Sequence, residues 1–172
     1  YNSGTPINAS TSPLWTLLLA GTWMVTRDYF VAAIMLGIFF AFLSCVFAYK
    51  IAGTIAEKEN YPLIVGVLVA VTPPLVWASL SGMEPSLYTF LALSGIYYHV
   101  IFRRDEGWRQ YISTVAFALA GIARPECIVL FPLAIVDNLI IWKLWKEEGR
   151  RTLLRKSLLH FLVFLAILMP YL

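Results

Sequence analysis

The sequence is short of charge. Asp, Glu, Lys and Arg make up 13% of its 172 residues, against roughly 25% in a soluble domain. A chain of this length still exposes much of its surface after folding, so a large core does not absorb the deficit. The surrounding solvent must be mostly lipid, which excludes disordered, collagenous and ordinary cytosolic classes. Cysteine is scarce too: Cys45 and Cys127 lie in separate apolar runs with no second Cys or His nearby. That excludes a framework of disulfides and a Cys/His metal centre, and both read as small buried hydrophobes. Net charge is only +3, too little for a nucleic-acid surface. No basic segment precedes the first apolar stretch as in a signal peptide, and neither an internal repeat nor a Gly/Ser-rich linker is visible.

What is there is apolar, with 60% hydrophobic residues, 15% aromatic and a mean hydropathy of +0.76. A helix crossing about 30 Å of hydrocarbon needs about 20 such residues. Runs at 29–49, 61–80 and 85–102, a shorter pair at 111–123 and 126–142, and a last run at 157–172 approach this. The predicted fold is an all-α polytopic transmembrane bundle of five to six membrane segments. The chain opens on Tyr1 and closes inside an apolar run at Leu172, and is expected to be a piece of a larger membrane domain, with N- and C-terminal parts missing.

Basic residues in short loops report the cytoplasmic side. If the first span runs inward, the inner loops hold Lys50, Lys58, Arg103, Arg104, Arg109, Lys143, Lys146, Arg150, Arg151, Arg155 and Lys156, leaving only Arg27 and Arg124 of the thirteen outside. The expectation is a multi-pass protein of a bacterial plasma membrane with cytoplasmic basic loops. The run from Lys143 to Lys156 would lie on anionic lipid.

The first 26 residues follow a different pattern. Segment 1–12 is polar and reads as an exported loop, with Asn8-Ala9-Ser10 matching a glycosylation acceptor. Ser12 as a cap and Pro13 at the first helical position open a helix over 13–26. Its apolar part is too short to cross, so an interfacial or re-entrant helix anchored by Trp15 and Trp23 is predicted.

Ionisable residues at membrane depth are costly and mark function. On the exported side these are Arg27, Asp28, Glu84, Arg124 and Glu126, all at span ends. Glu84 follows Ser81 by three residues, the spacing of a capping box. A carboxylate so close to lipid would equally hold a hydroxyl or a cation of a substrate. Arg124 sits at the end of a helix too short to reach the outer surface, and Pro125 breaks the chain there. Such breaks are tolerated where they line a cavity. Its guanidinium needs an anion: Glu126, Glu84 or Asp28 within the protein, or a lipid-linked phosphate gripped by two parallel hydrogen bonds. Arg27-Asp28 reads as a boundary marker or as a further polar contact. His99 and His160 lie near inner helix ends and far apart in the chain, which does not suggest a metal site.

Three segments taken together carry a resemblance: Tyr1-Asn2-Ser3-Gly4-Thr5-Pro6 leading to Ser12-Pro13-Leu14-Trp15, then Ser81-Gly82-Met83-Glu84, then Ala123-Arg124-Pro125-Glu126. Their order and shared exported side resemble the polytopic glycosyltransferases of the GT-C class. The likeness is to the bacterial branch near the arabinofuranosyltransferases, with protein O-mannosyltransferases and lipid A aminoarabinose transferases as more distant cousins. Met83 stands where Leu is common and Ala123 where Thr is common. The resemblance implies a glycosyltransferase that moves a sugar from a polyprenyl-phosphate donor to a glycan, lipid or protein acceptor on the exported face. The donor is a lipid-linked sugar, no further cofactor is implied, and the need for a divalent metal is left open. It also implies that Ser12 to Trp15 opens a juxtamembrane helix under the active site, and that Glu84, Arg124 and Glu126, with Arg27 and Asp28 as poorer candidates, bind substrate. The catalytic carboxylate would lie upstream of Tyr1. A transporter and a non-catalytic membrane subunit are the rival readings; the first predicts broken helices with polar groups at the midplane, the second small-residue packing faces.

Overall fold

The computed structural model describes residues 12–103, 105, 107–145 and 150–171, so the loop expected at 1–12 lies, Ser12 apart, outside the described residues. Every regular element among them is helical: α1 (Pro13–Thr26), α2 (Tyr29–Ile55), α3 (Tyr61–Ala70), α4 (Pro73–Leu80), α5 (Pro85–Phe102), α6 (Tyr111–Ala123), α7 (Leu130–Trp145) and α8 (Arg150–Leu168), with 3-10 turns at Trp108–Gln110 and Pro125–Val129.

Helices α1, α5 and α6 have the expected bounds; the others differ for local reasons. Helix α2 runs six residues past Tyr49 because Lys50 does not stop it. The Lys50 ammonium lies 5.3 Å from the Phe47 ring centre and 5.6 Å from that of Tyr97, so its stem covers apolar surface. The run 61–80 is broken: Thr72, ahead of Pro73, is extended at φ −65° and ψ 116°, as the proline ring requires of its predecessor. The run expected to start at 126 begins as a 3-10 turn, and α8 starts at Arg150 where 157 was expected.

These departures change the count of spans. Among the described residues only α2 is by itself long and apolar enough to cross a membrane, and α3 with α4 reaches that length only as a pair bent by 50°. One or two helices thus meet the requirement, where five to six were expected. Helices α6 and α7 are short at 13 and 16 residues. Helix α5 carries Ser, Tyr and His among its 18 residues, and α8 opens on Arg150, Arg151, Arg155 and Lys156.

Helix α5 sits at the centre, packed between α2 and α6, with α6 backed in turn by α8. One core gathers Trp15, Phe40, Leu87, Leu91, Ala120, Ala123 and Cys127; a second gathers Phe117, Ala118, Phe131, Phe164 and Leu168. Close approach needs small residues. A methyl on Gly37 of α2 would collide with the Ser79 carbonyl of α4, and one on Gly121 of α6 would come to 2.9 Å from the Ile128 side chain. The small-residue face of α6 is filled from inside the chain by α5 and α8.

Candidate functional site

The first turn of α1 joins the two turns that carry the polar residues. Ser12 occupies the cap position at φ −141°, with Pro13 following as expected, but its side chain makes no capping bond. The buried Ser12 hydroxyl instead donates to the Ala123 carbonyl at 2.7 Å, while its own carbonyl accepts from the Thr16 amide at 3.1 Å. One turn further, the Trp15 indole N–H donates to the Gly82 carbonyl at 3.2 Å. Trp15 is therefore no interfacial anchor: only 5% of its surface is exposed, and it packs with Leu87, Ala120 and Ala123. Trp23, half-buried, stacks on Tyr29 at 5.3 Å.

Between α4 and α5 the chain turns at Gly82, whose φ of +73° favours a residue without a Cβ. Ser81 donates its hydroxyl back to the Ala78 carbonyl at 3.0 Å, and Glu84 itself occupies the cap position of α5 with no capping bond from its side chain. The capping box suggested by the Ser81/Glu84 spacing is not formed, because the hydroxyl is taken by the helix it ends. The half-buried Glu84 acts on Arg124 through charge.

Arg124 closes α6 in an extended conformation at φ −154°, pushed out of the helix by Pro125. Its Nε lies 3.3 Å from a Glu126 oxygen and its guanidinium carbon lies 5.1 Å from the Tyr88 ring centre. Burial draws the Arg124 pKa down, and Tyr88, Glu126 and Glu84 together draw it up by more, so the cation is reinforced. The Arg124–Glu126 pair engages one edge of the guanidinium. Both side chains are open to the surroundings, at 40% and 73% exposure, and pairs in that setting contribute roughly 0–1 kcal/mol. An open groove of about 450 Å³ beside them is lined by Tyr88, Ala92, Arg124, Glu126, Cys127, Val129 and Leu130. A cation on an aromatic floor at the mouth of an apolar groove is suited to an anion carried on an apolar tail.

The other two candidates do not join this group. Asp28 caps α2, its carboxylate accepting from the amides of Phe30 at 2.8 Å and Val31 at 3.2 Å. Arg27 ends α1 in the left-handed region at φ 58°, with its guanidinium 5.5 Å from the Trp23 ring centre. They lie at the far end of α1 from Ser12, about 21 Å away along fourteen residues at the helical rise of about 1.5 Å. Their roles are those of a helix boundary.

Two polar residues escaped the sequence reading. Tyr88 follows Glu84 by four positions, which places it on the same helix face, and that spacing was available. Asp137 lies inside an apolar run, the usual signal of function or pairing at membrane depth. It accepts from His99 Nε2 at 2.9 Å and sits 3.5 Å from Arg103, tying α7 to the C-terminal half of α5. Nearby, Thr114 and His160 share a hydrogen bond of 2.6 Å, and the Tyr111 ring is 4.9 Å from His160. No group of three or more His, Cys, Asp and Glu suited to a metal exists among the described residues.

Neither a family model nor a curated protein nor a solved structure matches the chain.

Proposed function

We propose that this chain is part of an integral-membrane glycosyltransferase of the GT-C class, which passes a sugar from a polyprenyl-phosphate donor to an acceptor hydroxyl on the exported face. The observation that carries the reading is the meeting of three segments far apart in sequence, Ser12 to Trp15, Gly82 to Glu84 and Ala123 to Glu126, through two hydrogen bonds from one helical turn. The wide apolar exposure of the helices supports a lipid setting: Phe30, Met35, Phe39 and Phe42 of α2 and Leu63, Val67 and Leu68 of α3 all face outward, more contiguous apolar surface than a monomer in water carries. In that setting the short helices cross together with their turns, the basic loops lie on the cytoplasmic side, and the Arg124 groove opens on the exported side.

The chemistry assigned to the groove is electrostatic. The bond from the sugar's anomeric carbon to the donor phosphate breaks, a bond to the acceptor oxygen forms, and the acceptor proton goes to a carboxylate expected upstream of Tyr1. Negative charge grows on the departing phosphate, and Arg124 is placed to stabilise it. Glu126 orients the guanidinium, while Glu84 faces the sugar hydroxyls. In the intact enzyme Arg124→Ala lowers transfer by about 10²–10³-fold at unchanged expression, and wild-type turnover in that variant removes the assignment.

One observation favours the transporter reading, the bent α3–α4 pair, since discontinuous helices line transport sites. The residues at this bend are Val71, Thr72 and Pro73, and the Thr72 hydroxyl is spent on the Leu68 carbonyl at 2.7 Å. Uptake of a radiolabelled sugar into vesicles holding the intact protein, without transfer to an acceptor, would select it.

A further inference from the structure

We infer that Ser12 and Trp15 are positioning residues that couple the Gly82–Glu84 turn to the Ala123–Glu126 turn, so that the two carboxylates and Arg124 keep one spacing. The inference rests on the proposed site for its purpose, and on the following geometry for its substance.

Each turn alone is loosely set. The first pivots on Gly82 at φ +73° and leads to a carboxylate without a capping bond. The second leaves α6 at an extended Arg124 and passes through a 3-10 turn, whose hydrogen-bond geometry is poorer than that of an α-helix. Beyond the packing of α5 on α6, a single rigid body joins their backbones. Ser12 and Trp15 are three residues apart, one turn of helix, and Pro13 between them fixes the backbone entry. The Ser12 hydroxyl holds the carbonyl of the residue before Arg124, and the Trp15 indole holds the carbonyl two residues before Glu84. Both acceptors are main-chain atoms, so the grip sets backbone position independently of side-chain rotamers. Both donors are largely buried, at 6% and 5% exposure, where water does not compete for the acceptor. A displacement of one turn must therefore drag α1 and pull on the other.

The test is peptide-resolved hydrogen exchange on the intact protein in nanodiscs. Trp15→Phe keeps an aromatic ring in the core, removes the indole N–H and leaves part of the indole's space unfilled, so the serine variants, which change no ring, separate the hydrogen bond from the packing. The expected result is exchange at least several-fold faster in peptides covering 82–88 and, through α1, also in those covering 123–128, with helix content unchanged. Ser12→Ala produces the mirror image, faster at 123–128 and also at 82–88, and Ser12→Thr, which keeps a hydroxyl, restores both. Loosening confined to the turn that lost its own bond overturns the coupling, as does equal loosening by Ser12→Ala and Ser12→Thr. If the tryptophan variant does not fold, the serine pair alone decides. Because exchange requires no substrate, a failure of the glycosyltransferase reading would leave this readout intact.

Discussion

The two ends of the helix bundle hold polar groups of similar kind in opposite ways. At one end Arg124 and Glu126 meet at 3.3 Å with 40% and 73% of their side-chain surfaces exposed, and an open groove lies beside them. At the other, Asp137 draws His99 and Arg103 from a neighbouring helix, with the His99 side chain only 13% exposed, and Thr114 meets His160 where both are buried. The closed end has spent its charges on joining helices. At the open end Arg124 is held by Glu126 at one edge and by the Tyr88 side chain, with the Glu84 charge acting on it as well, beside a groove of about 450 Å³. A count of charges would rank the two ends alike, as would the exposure of Arg124 and Asp137 at 40% and 44%; the groove beside Arg124 and the largely buried His99, Thr114 and His160 separate them.

The comparison breaks most visibly at Arg124 and Asp137. Arg124→Ala should remove transfer by about 10²–10³-fold with little change in melting, and Asp137→Ala should do the reverse. Losing Asp137 leaves His99 and Arg103 without their shared acceptor and destabilises the fold by about 1–3 kcal/mol, read as a lowered unfolding midpoint in detergent. Equal effects of the two variants on turnover would erase the distinction between the ends. Next in size is Gly82→Ala, which forces a Cβ into the left-handed region, 3.3 Å from the Ala33 side chain. A loss of about 1–2 kcal/mol follows, with faster exchange in the turn leading to Glu84. The smallest effect sharpens the contrast: Glu126→Gln shifts stability by under about 1 kcal/mol, while weakening donor affinity more than turnover if its task is to orient Arg124.

How much of this was legible in the residues depends on the range over which each signal acts. Helix bounds set by local chemistry were readable, as at Pro13 and Pro85, where a proline at the first helical turn marks the start. The break at Thr72 was equally local, since Pro73 follows it, yet the uniform apolarity of 61–80 hid it. The site was legible as a set of segments and no further. Glu84, Arg124 and Glu126 stood out because charge is rare here, whereas Tyr88 did not, because an aromatic among 26 is unremarkable until a guanidinium is found over it. Trp15 was misjudged on composition: an indole at the start of a short apolar helix is usually an interfacial anchor, and only the Gly82 carbonyl, 67 residues away, explains why it is buried. Asp28 and Ser81 show the converse, where a nearby backbone group claims a side chain before any distant partner does.

The bend between α3 and α4 has a mechanical meaning. A single straight rod would carry any change of tilt from one of its ends to the other. Here α4 is seated on α2 where Gly37 lets the Ser79 backbone come close, and the break at Thr72 interrupts the rod by 50°. Helix α3 is packed on α2 as well, with Gly66 against Cys45 and Tyr49, so both halves of the bent pair share α2 as their support, and α4 presents Gly82 to α1 from it. The bend works as a bracket: it lets two short helices grip one long one and sets the direction in which the Glu84 turn is presented.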